Sequence, residues 1–174
     1  MKNIILIGMP GVGKSTLGVL LAKQLLKTFI DTDLLIQQRQ KATLQAIVDN
    51  HGYMRLREVE ENEIVLLKEE NAVIATGGSA VYSEEAMKHL RENGTIIYLK
   101  MGIRELLKRI DDYETRGLAK PKNQSFEGMH KERTALYEKY GEFVVDCTDK
   151  KHENIVAEIV AHINESGNIF RETL

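Results

Sequence analysis

This chain of 174 residues predicts an α/β fold, a three-layer doubly wound sandwich with a five-stranded parallel sheet. Three observations predict it. Apolar runs of strand length alternate with amphipathic stretches of helix length along the chain, the pattern of parallel strands joined by helical crossovers. The first run, Ile4-Ile5-Leu6-Ile7, is continuously apolar, as a buried strand should be. Finally, the unusual clusters Gly8–Ser15, Asp31/Asp33 and Gly77-Gly78 each follow a predicted strand. In such sheets that edge is where ligands bind.

Taken in order, strand one covers about Asn3–Ile7, and a glycine-rich turn leads into a helix from Lys14 to about Lys27. Leu17, Leu20, Leu21 and Leu25 share one face of that helix. Phe29-Ile30 is a brief second strand that leaves through Asp31-Thr32-Asp33. Leu34–Gln40 is helical, Thr43 caps a helix over Leu44–Asp49, and Gly52 stops it. A longer helix is expected over Tyr53–Glu70. Ala72–Ala75 is strand three, broken by Thr76-Gly77-Gly78-Ser79. Ser83 caps a helix ending near Glu92, Asn93-Gly94 marks a turn, and Thr95–Leu99 is strand four. Glu105–Ile110 forms the centre of another helix. The stretch Asp111–Gly128 has no period and carries Arg116, Gly117, Lys120, Pro121 and Lys122, which reads as a mobile lid. His130–Lys139 is helical, Phe143-Val144-Val145 is the last strand, and Ile155, Ile159 and Ile163 line one face of a final helix. The tail from Gly167 is expected to be loosely held. The reading is one domain over 1–174, with the lid at about 111–128 and an acceptor-binding helical region at about 33–60.

Composition excludes several function classes. The 24 basic and 26 acidic residues give a net charge of −2, and no basic stretch stands out, so no nucleic-acid partner is expected. No apolar run approaches the ~20 residues of a membrane span. The short N-terminal run before Gly8 does not read as a secretory signal. A single cysteine, Cys147, excludes an intrachain disulfide and suits a reducing compartment, so a cytoplasmic protein is the expectation, and a closed single domain permits a monomer. Cys147 ends a valine-rich run and should be buried. His51, His89, His130, His152 and His162 have no metal-ligand spacing and read as surface or capping residues.

The chemistry begins at Gly8-Met9-Pro10-Gly11-Val12-Gly13-Lys14-Ser15, the G-x-x-x-x-G-K-[ST] pattern of a phosphate-binding loop. A strand before it and a helix after it supply the structural context that this pattern needs. Backbone N–H groups and the helix N-terminus would cradle phosphate oxygens. Lys14 would reach the β/γ-phosphates, and the Ser15 hydroxyl would sit on Mg²⁺. Asp31 and Asp33, two apart, share one side of an extended segment. One can hold a metal-bound water and the other an acceptor hydroxyl, although Asp33 could instead cap the next helix. Gly77-Gly78 lets the backbone approach a ligand, or simply makes a tight turn. Arg55 and Arg57 lie about 200° apart on a helix, so one at most faces a site. An arginine fork suits a carboxylate; the plainer fate of Arg57 is an i,i+3 pair with Glu60.

Together, Gly8–Ser15, Asp31-x-Asp33, Arg57-x-x-Glu60, Gly77-Gly78, the lid residue Arg116, and Arg133 in Arg-Thr-Ala-Leu-Tyr resemble the shikimate kinase family. The resemblance is collinear and covers nearly the whole chain. It implies a P-loop kinase that uses ATP and Mg²⁺ to phosphorylate shikimate at its 3-hydroxyl, in aromatic amino acid biosynthesis. By this resemblance ATP is bound by Gly11, Val12, Gly13, Lys14, Ser15 and Thr16, and the metal by Ser15 and Asp31. Asp33 contacts the acceptor hydroxyl, Arg57 and Arg133 grip the substrate carboxylate, and Gly77 and Gly78 meet the substrate hydroxyls. Arg116 closes over the ATP phosphates, so that Lys14, Asp33 and Arg116 form the catalytic set. Arg109 and Lys150 fall where the family packs side chains on the adenine.

The chain also departs from the family pattern. Ser79 replaces a third glycine, Leu56 replaces a phenylalanine, and Tyr53 follows Gly52 where a glutamate is common. Arg116-Gly117-Leu118-Ala119 replaces Arg-Pro-Leu-Leu, with Pro121 displaced. These positions belong to the acceptor and the lid, so another hydroxy acid, a polyol or a nucleoside monophosphate is the alternative acceptor. A switch-type NTPase is a third reading. It lacks a second nucleotide signature, because Thr148-Asp149-Lys150 is not Asn-Lys-x-Asp and Phe143–Asp146 comes too late in the order.

Overall fold

The computed structural model describes residues 2–109 and 117–165. Five strands, β1 (Asn3–Ile7), β2 (Thr28–Asp31), β3 (Ala72–Ala75), β4 (Gly94–Lys100) and β5 (Phe143–Asp146), form one parallel sheet in the order β2-β3-β1-β4-β5. The central strand β1 pairs with β3 on one side, Ile4 opposite Val73, and with β4 on the other, Ile4 opposite Thr95. Ile4, Ile5, Leu6 and Ile7 are all essentially inaccessible. A strand covered on both faces has no side for polar residues, which is why the run does not alternate. Each such side chain contributes about 2 kcal/mol by leaving water.

The helices are α1 (Lys14–Leu25), α2 (Thr32–Gln40), α3 (Leu44–His51), α4 (Tyr53–Val65), α5 (Glu84–Asn93), α6 (Ile103–Arg109), α7 (Phe126–Tyr140) and α8 (His152–Glu165). The strand order assigns them to layers. The α1 crossover from β1 to β2 runs one way across the sheet, while those from β2 to β3, β3 to β4 and β4 to β5 run the other way. Right-handed crossovers then put α1 on one face and α4, α5 and α7 on the opposite face. α8 packs against α1. A second small core, Ile36, Ile47, Leu56, Val59 and Ala119, ties α2, α3 and α4 together beyond the edge of the sheet. Among the described residues no helix is long and apolar enough to cross a membrane.

Several boundaries differ from the sequence expectation. α4 ends at Val65 rather than Glu70, and the chain turns at Leu66 and Leu67 to reach β3. Asn93-Gly94 makes no separate turn, because α5 ends at Asn93 and β4 begins at Gly94. A 3₁₀ turn, Ala80–Tyr82, was not expected from the sequence. The last three residues of the expected lid, Phe126–Gly128, belong to α7, because the Ser125 hydroxyl accepts the Gly128 N–H and starts the helix there. Residues 110–116, and with them Arg116, lie outside the described residues, as does the tail from 166. Cys147 is buried as expected, and burial pushes its thiol up to about 12. His89 and His130 are half-buried and face the carbonyls of Leu67 and Met101, and His162 stacks on Phe143.

Candidate active site

The C-terminal ends of β1, β2 and β3 open into a cavity of about 460 Å³. One part of its wall is the phosphate-loop motif, through Pro10, Gly11, Gly13, Lys14, Ser15 and Thr16. Gly13 is the N-cap of α1 with φ of 103°, a left-handed conformation that costs glycine little. With no capping side chain there, the first N–H groups of α1 are left to a ligand. Val12 is fully buried behind the loop and does not line the cavity. Lys14 is only 9% exposed, and its ammonium donates to the Gly8 and Met9 carbonyls at 2.7 and 3.1 Å. Burial lowers its pKa to about 8, opposed chiefly by the charge of Asp33.

The two aspartates divide their tasks. Asp31, the last residue of β2, caps α2 through Oδ1, which accepts the N–H groups of Asp33 and Leu34. Its Oδ2 accepts the Ser15 hydroxyl at 2.6 Å. The cap is therefore Asp31, and Asp33 is left free in the first turn with its carboxylate on the cavity wall. Burial raises the pKa of Asp33, and the positive charge of Lys14 opposes the shift. Ser15 and Asp31 present a hard-oxygen pair. Such a pair fits Mg²⁺, which takes few protein ligands and fills its octahedron from water and phosphate. Among the described residues no group of three His, Cys, Asp or Glu side chains could hold a metal by itself.

The acceptor side draws on distant elements. Thr76 ties the exit of β3 to the Leu6 carbonyl, and the Gly77 N–H donates to the Thr32 hydroxyl. A Cβ on Gly77 would run into Glu60 Oε1 and stand 2.6 Å from Asp33 Oδ1. One on Gly78 would stand 2.9 Å from Arg133 Nη1. Only glycines let these side chains converge on the loop. The Tyr137 hydroxyl donates to the Gly78 carbonyl at 2.6 Å and fixes it from α7.

Glu60, on α4, is 2% exposed, and its Oε2 accepts the hydroxyl of Ser79. Oε1 has no partner among the described residues. Burial first, and the charge of Asp33 second, raise the Glu60 pKa to about 7. The i,i+3 pair between Arg57 and Glu60 allowed by the sequence is not formed, because Ser79 holds the carboxylate.

Arg133, on α7, is 1% exposed and lines the cavity. Its Nη2 donates to the Ala119 carbonyl at 3.1 Å, and its Nε has no partner among the described residues. Arg57 donates to the same carbonyl through Nε and Nη2, at 3.3 and 3.1 Å. The two arginines expected to act together do converge, on a backbone oxygen. Arg57 itself stands behind Ala119 rather than on the wall. Arg55 points away and pairs with Glu58.

Arg109 reaches the cavity and pairs with Glu105. Lys150 does not line the cavity and is paired with Glu158 at 2.6 Å. The sequence reading missed Glu60 as a buried wall carboxylate, Ser79 as its partner, and the Ala119 carbonyl. The local signals were Ser79, a hydroxyl where the pattern has glycine, and Glu60 in Arg57-x-x-Glu60.

Comparison with known proteins accords with this arrangement. Residues 10–164 match the family model described as Shikimate kinase. The chain is 35% identical over 167 residues to the shikimate kinase of Aliivibrio fischeri, covering 94% of this chain and 97% of that protein. Among solved structures, shikimate kinase from Acinetobacter baumannii in complex with shikimate is similar with a TM-score of 0.88 at 27% identity, over 95% of this chain and 94% of that one. The Aquifex aeolicus shikimate kinase is similar at 0.82 and 30%, over 95% and 98%. A phosphate loop, a cavity-facing aspartate and two converging arginines on this five-stranded sheet thus coincide with a match over most of the chain, and the chain belongs to the shikimate kinase family.

Proposed function

We propose that this protein transfers the γ-phosphoryl group of ATP to the 3-hydroxyl of shikimate, giving shikimate 3-phosphate and ADP. The observation that carries the reading is that one cavity wall joins Lys14 and Ser15 of the phosphate loop to Asp33 and Arg133. A donor cradle and a carboxylate-binding cation face the same space. Phosphoryl transfer passes through a loose transition state, so the protein works by positioning and by charge.

In this reading Gly11, Val12, Gly13 and Thr16 belong to the loop that holds the nucleotide phosphates, and Lys14 neutralises charge building between the β- and γ-phosphates. Arg116, which lies outside the described residues, is assigned to the same charge. Ser15 and Asp31 would hold Mg²⁺, which when bound spreads the negative charge of the phosphates. Asp33 orients the acceptor hydroxyl and takes its proton late, because an unactivated alcohol is too weak an acid to lose it early. Arg133, with Arg57 behind it, attracts the acceptor carboxylate, and Gly77 and Gly78 allow the ring hydroxyls to approach. Arg109 and Lys150 are assigned to the adenine. The lid is taken as the segment from about 111 to the start of α7. A monomer in the cytoplasm is the setting proposed. A buried free Cys147 suits a reducing compartment.

An ADP-release assay with ATP, Mg²⁺ and a panel of acceptors tests the reading. Shikimate should stimulate turnover strongly; stimulation only by another hydroxy acid, a polyol or a nucleoside monophosphate would replace it as the acceptor. Arg57→Ala should raise the shikimate KM at least about tenfold, the cost of losing one charge-assisted contact, and leave the ATP KM much less changed.

A further inference from the structure

Arg57 and Arg133 form an unusual pair. Neither belongs to an ion pair formed among the described residues. Glu60, three residues beyond Arg57 in the same helix, is held by Ser79. The two cations repel, and the charge of Arg133 helps to lower the Arg57 pKa, although burial is the larger cause. The groups that bring them together are electron-rich but neutral. One is the Ala119 carbonyl. The other is the ring of Tyr82, at the end of the 3₁₀ turn that follows Gly77–Ser79.

The Arg57 guanidinium carbon lies 3.5 Å from the centre of the Tyr82 ring, which is stacking contact, and Arg133 lies 5.4 Å from the same centre. Tyr53 adds a weaker face to Arg57, at 5.1 Å. The exposed carboxylate of Glu132 contributes a smaller attraction from α7. A carboxylate placed at Tyr82 would neutralise Arg57. An aromatic face fixes the guanidinium plane and leaves the charge uncancelled.

We infer that Tyr82 is a positioning residue for the acceptor site: its ring face seats the guanidinium of Arg57 beside Arg133, so that both charges stay available to an anionic acceptor. The inference rests on the proposed role of the two arginines toward the acceptor carboxylate. Tyr82 acts on the acceptor only through them. It also gives Ser79 a complementary part, because by holding Glu60 the serine keeps a competing carboxylate off Arg57.

Steady-state kinetics with shikimate and ATP test it in Tyr82→Leu, Tyr82→Phe, Arg57→Ala and the Tyr82→Leu/Arg57→Ala double variant. A fifth protein carries pentafluorophenylalanine at position 82, which keeps the ring shape and reverses its quadrupole, so the test survives if the leucine variant does not fold. Losing the cation–aromatic contact should raise the shikimate KM about tenfold in the leucine and pentafluoro proteins. The ATP KM and kcat should stay within about twofold, since only ground-state acceptor binding is touched. Tyr82→Phe should recover the wild-type shikimate KM, and in the Arg57→Ala background Tyr82→Leu should add little. A phenylalanine variant as impaired as leucine, a pentafluoro protein that matches phenylalanine, or a leucine variant with both KM values raised alike would overturn the inference. A raised shikimate KM in Arg57→Ala with an unchanged one in Tyr82→Leu defeats this inference alone. An unchanged shikimate KM in Arg57→Ala defeats the underlying reading as well.

Discussion

The two halves of the cavity are built on different principles. The phosphate loop of the donor half is one contiguous segment, Gly8–Ser15, whose Ser15 hydroxyl donates to Asp31. Its chemistry lies largely in backbone N–H groups and in a helix N-terminus, features set by local conformation. The acceptor half is assembled from the first turn of α2, the middle of α4, the exit of β3, the loop around Ala119 and α7. Its chemistry lies in side chains whose partners are distant in sequence. Ser79 reaches Glu60 across 19 residues, and Arg57 reaches the Ala119 carbonyl across 62. A local motif tolerates change elsewhere in the chain. An assembled site can be retuned at any one of its contributing elements, and here the departures from the family pattern, Ser79 and Leu56 among them, fall on that half.

This contrast can be broken by mutation. The largest effect is expected in the donor half. Lys14→Ala should lower kcat by about a thousandfold or more, because in the proposed mechanism the ammonium neutralises charge that develops only as the phosphoryl group moves. Shikimate affinity in the absence of nucleotide, measured by calorimetry, should be nearly unchanged. A large loss of shikimate binding would show that the halves are not separable.

A smaller effect is expected from Gly77→Ala. The added methyl must displace Glu60 and Asp33 together, at a cost of about 1–3 kcal/mol in stability, and kcat/KM for shikimate should fall about ten- to a hundredfold. The ATP KM should move little. An equal rise in both KM values would place the loop in a shared structural role.

The last effect is read in stability alone and concerns Glu60. Its folded pKa of about 7 lies above the ordinary glutamate value of 4.5, so the folded protein holds a proton that the unfolded chain has already released. The stability due to this group is complete below about 4.5 and is lost as pH rises through about 7. That amounts to about 3 kcal/mol over the window. Glu60→Gln removes this dependence. Urea denaturation at pH 5 and pH 8 should find the stability gap moving in favour of the glutamine variant at the higher pH. A pH-independent gap would mean that Glu60 ionises normally inside the fold.

Particular elements explain what could be read from the sequence. β1 was legible because four buried apolar residues in a row admit few alternatives, and α3 because Thr43 and Gly52 mark its ends. The end of α4 was not, since Leu66 and Leu67 continue an apolar pattern although the chain must already turn toward β3. The 3₁₀ turn at Ala80–Tyr82 carries no periodic signal. In the site, Asp33 was legible as one of two possible roles. The hydrogen bonds to Asp31 Oδ1 remove the capping role by giving Asp31 the cap.

By itself the sequence determined the alternation of strands and helices, the phosphate loop and its place after the first strand, and the residues that carry charge near the strand ends. These depend on neighbours within a few positions, where spacing and backbone preference are sufficient. Only the tertiary structure decided which partner each charge would take. Glu60 could have paired with Arg57 three residues away but is held by Ser79, and Arg57 could have faced solvent but lies between Tyr82 and the Ala119 carbonyl. The reason is that a buried charge settles on whichever hydrogen-bonding or polarisable group packing brings to it, and packing is a property of the whole chain.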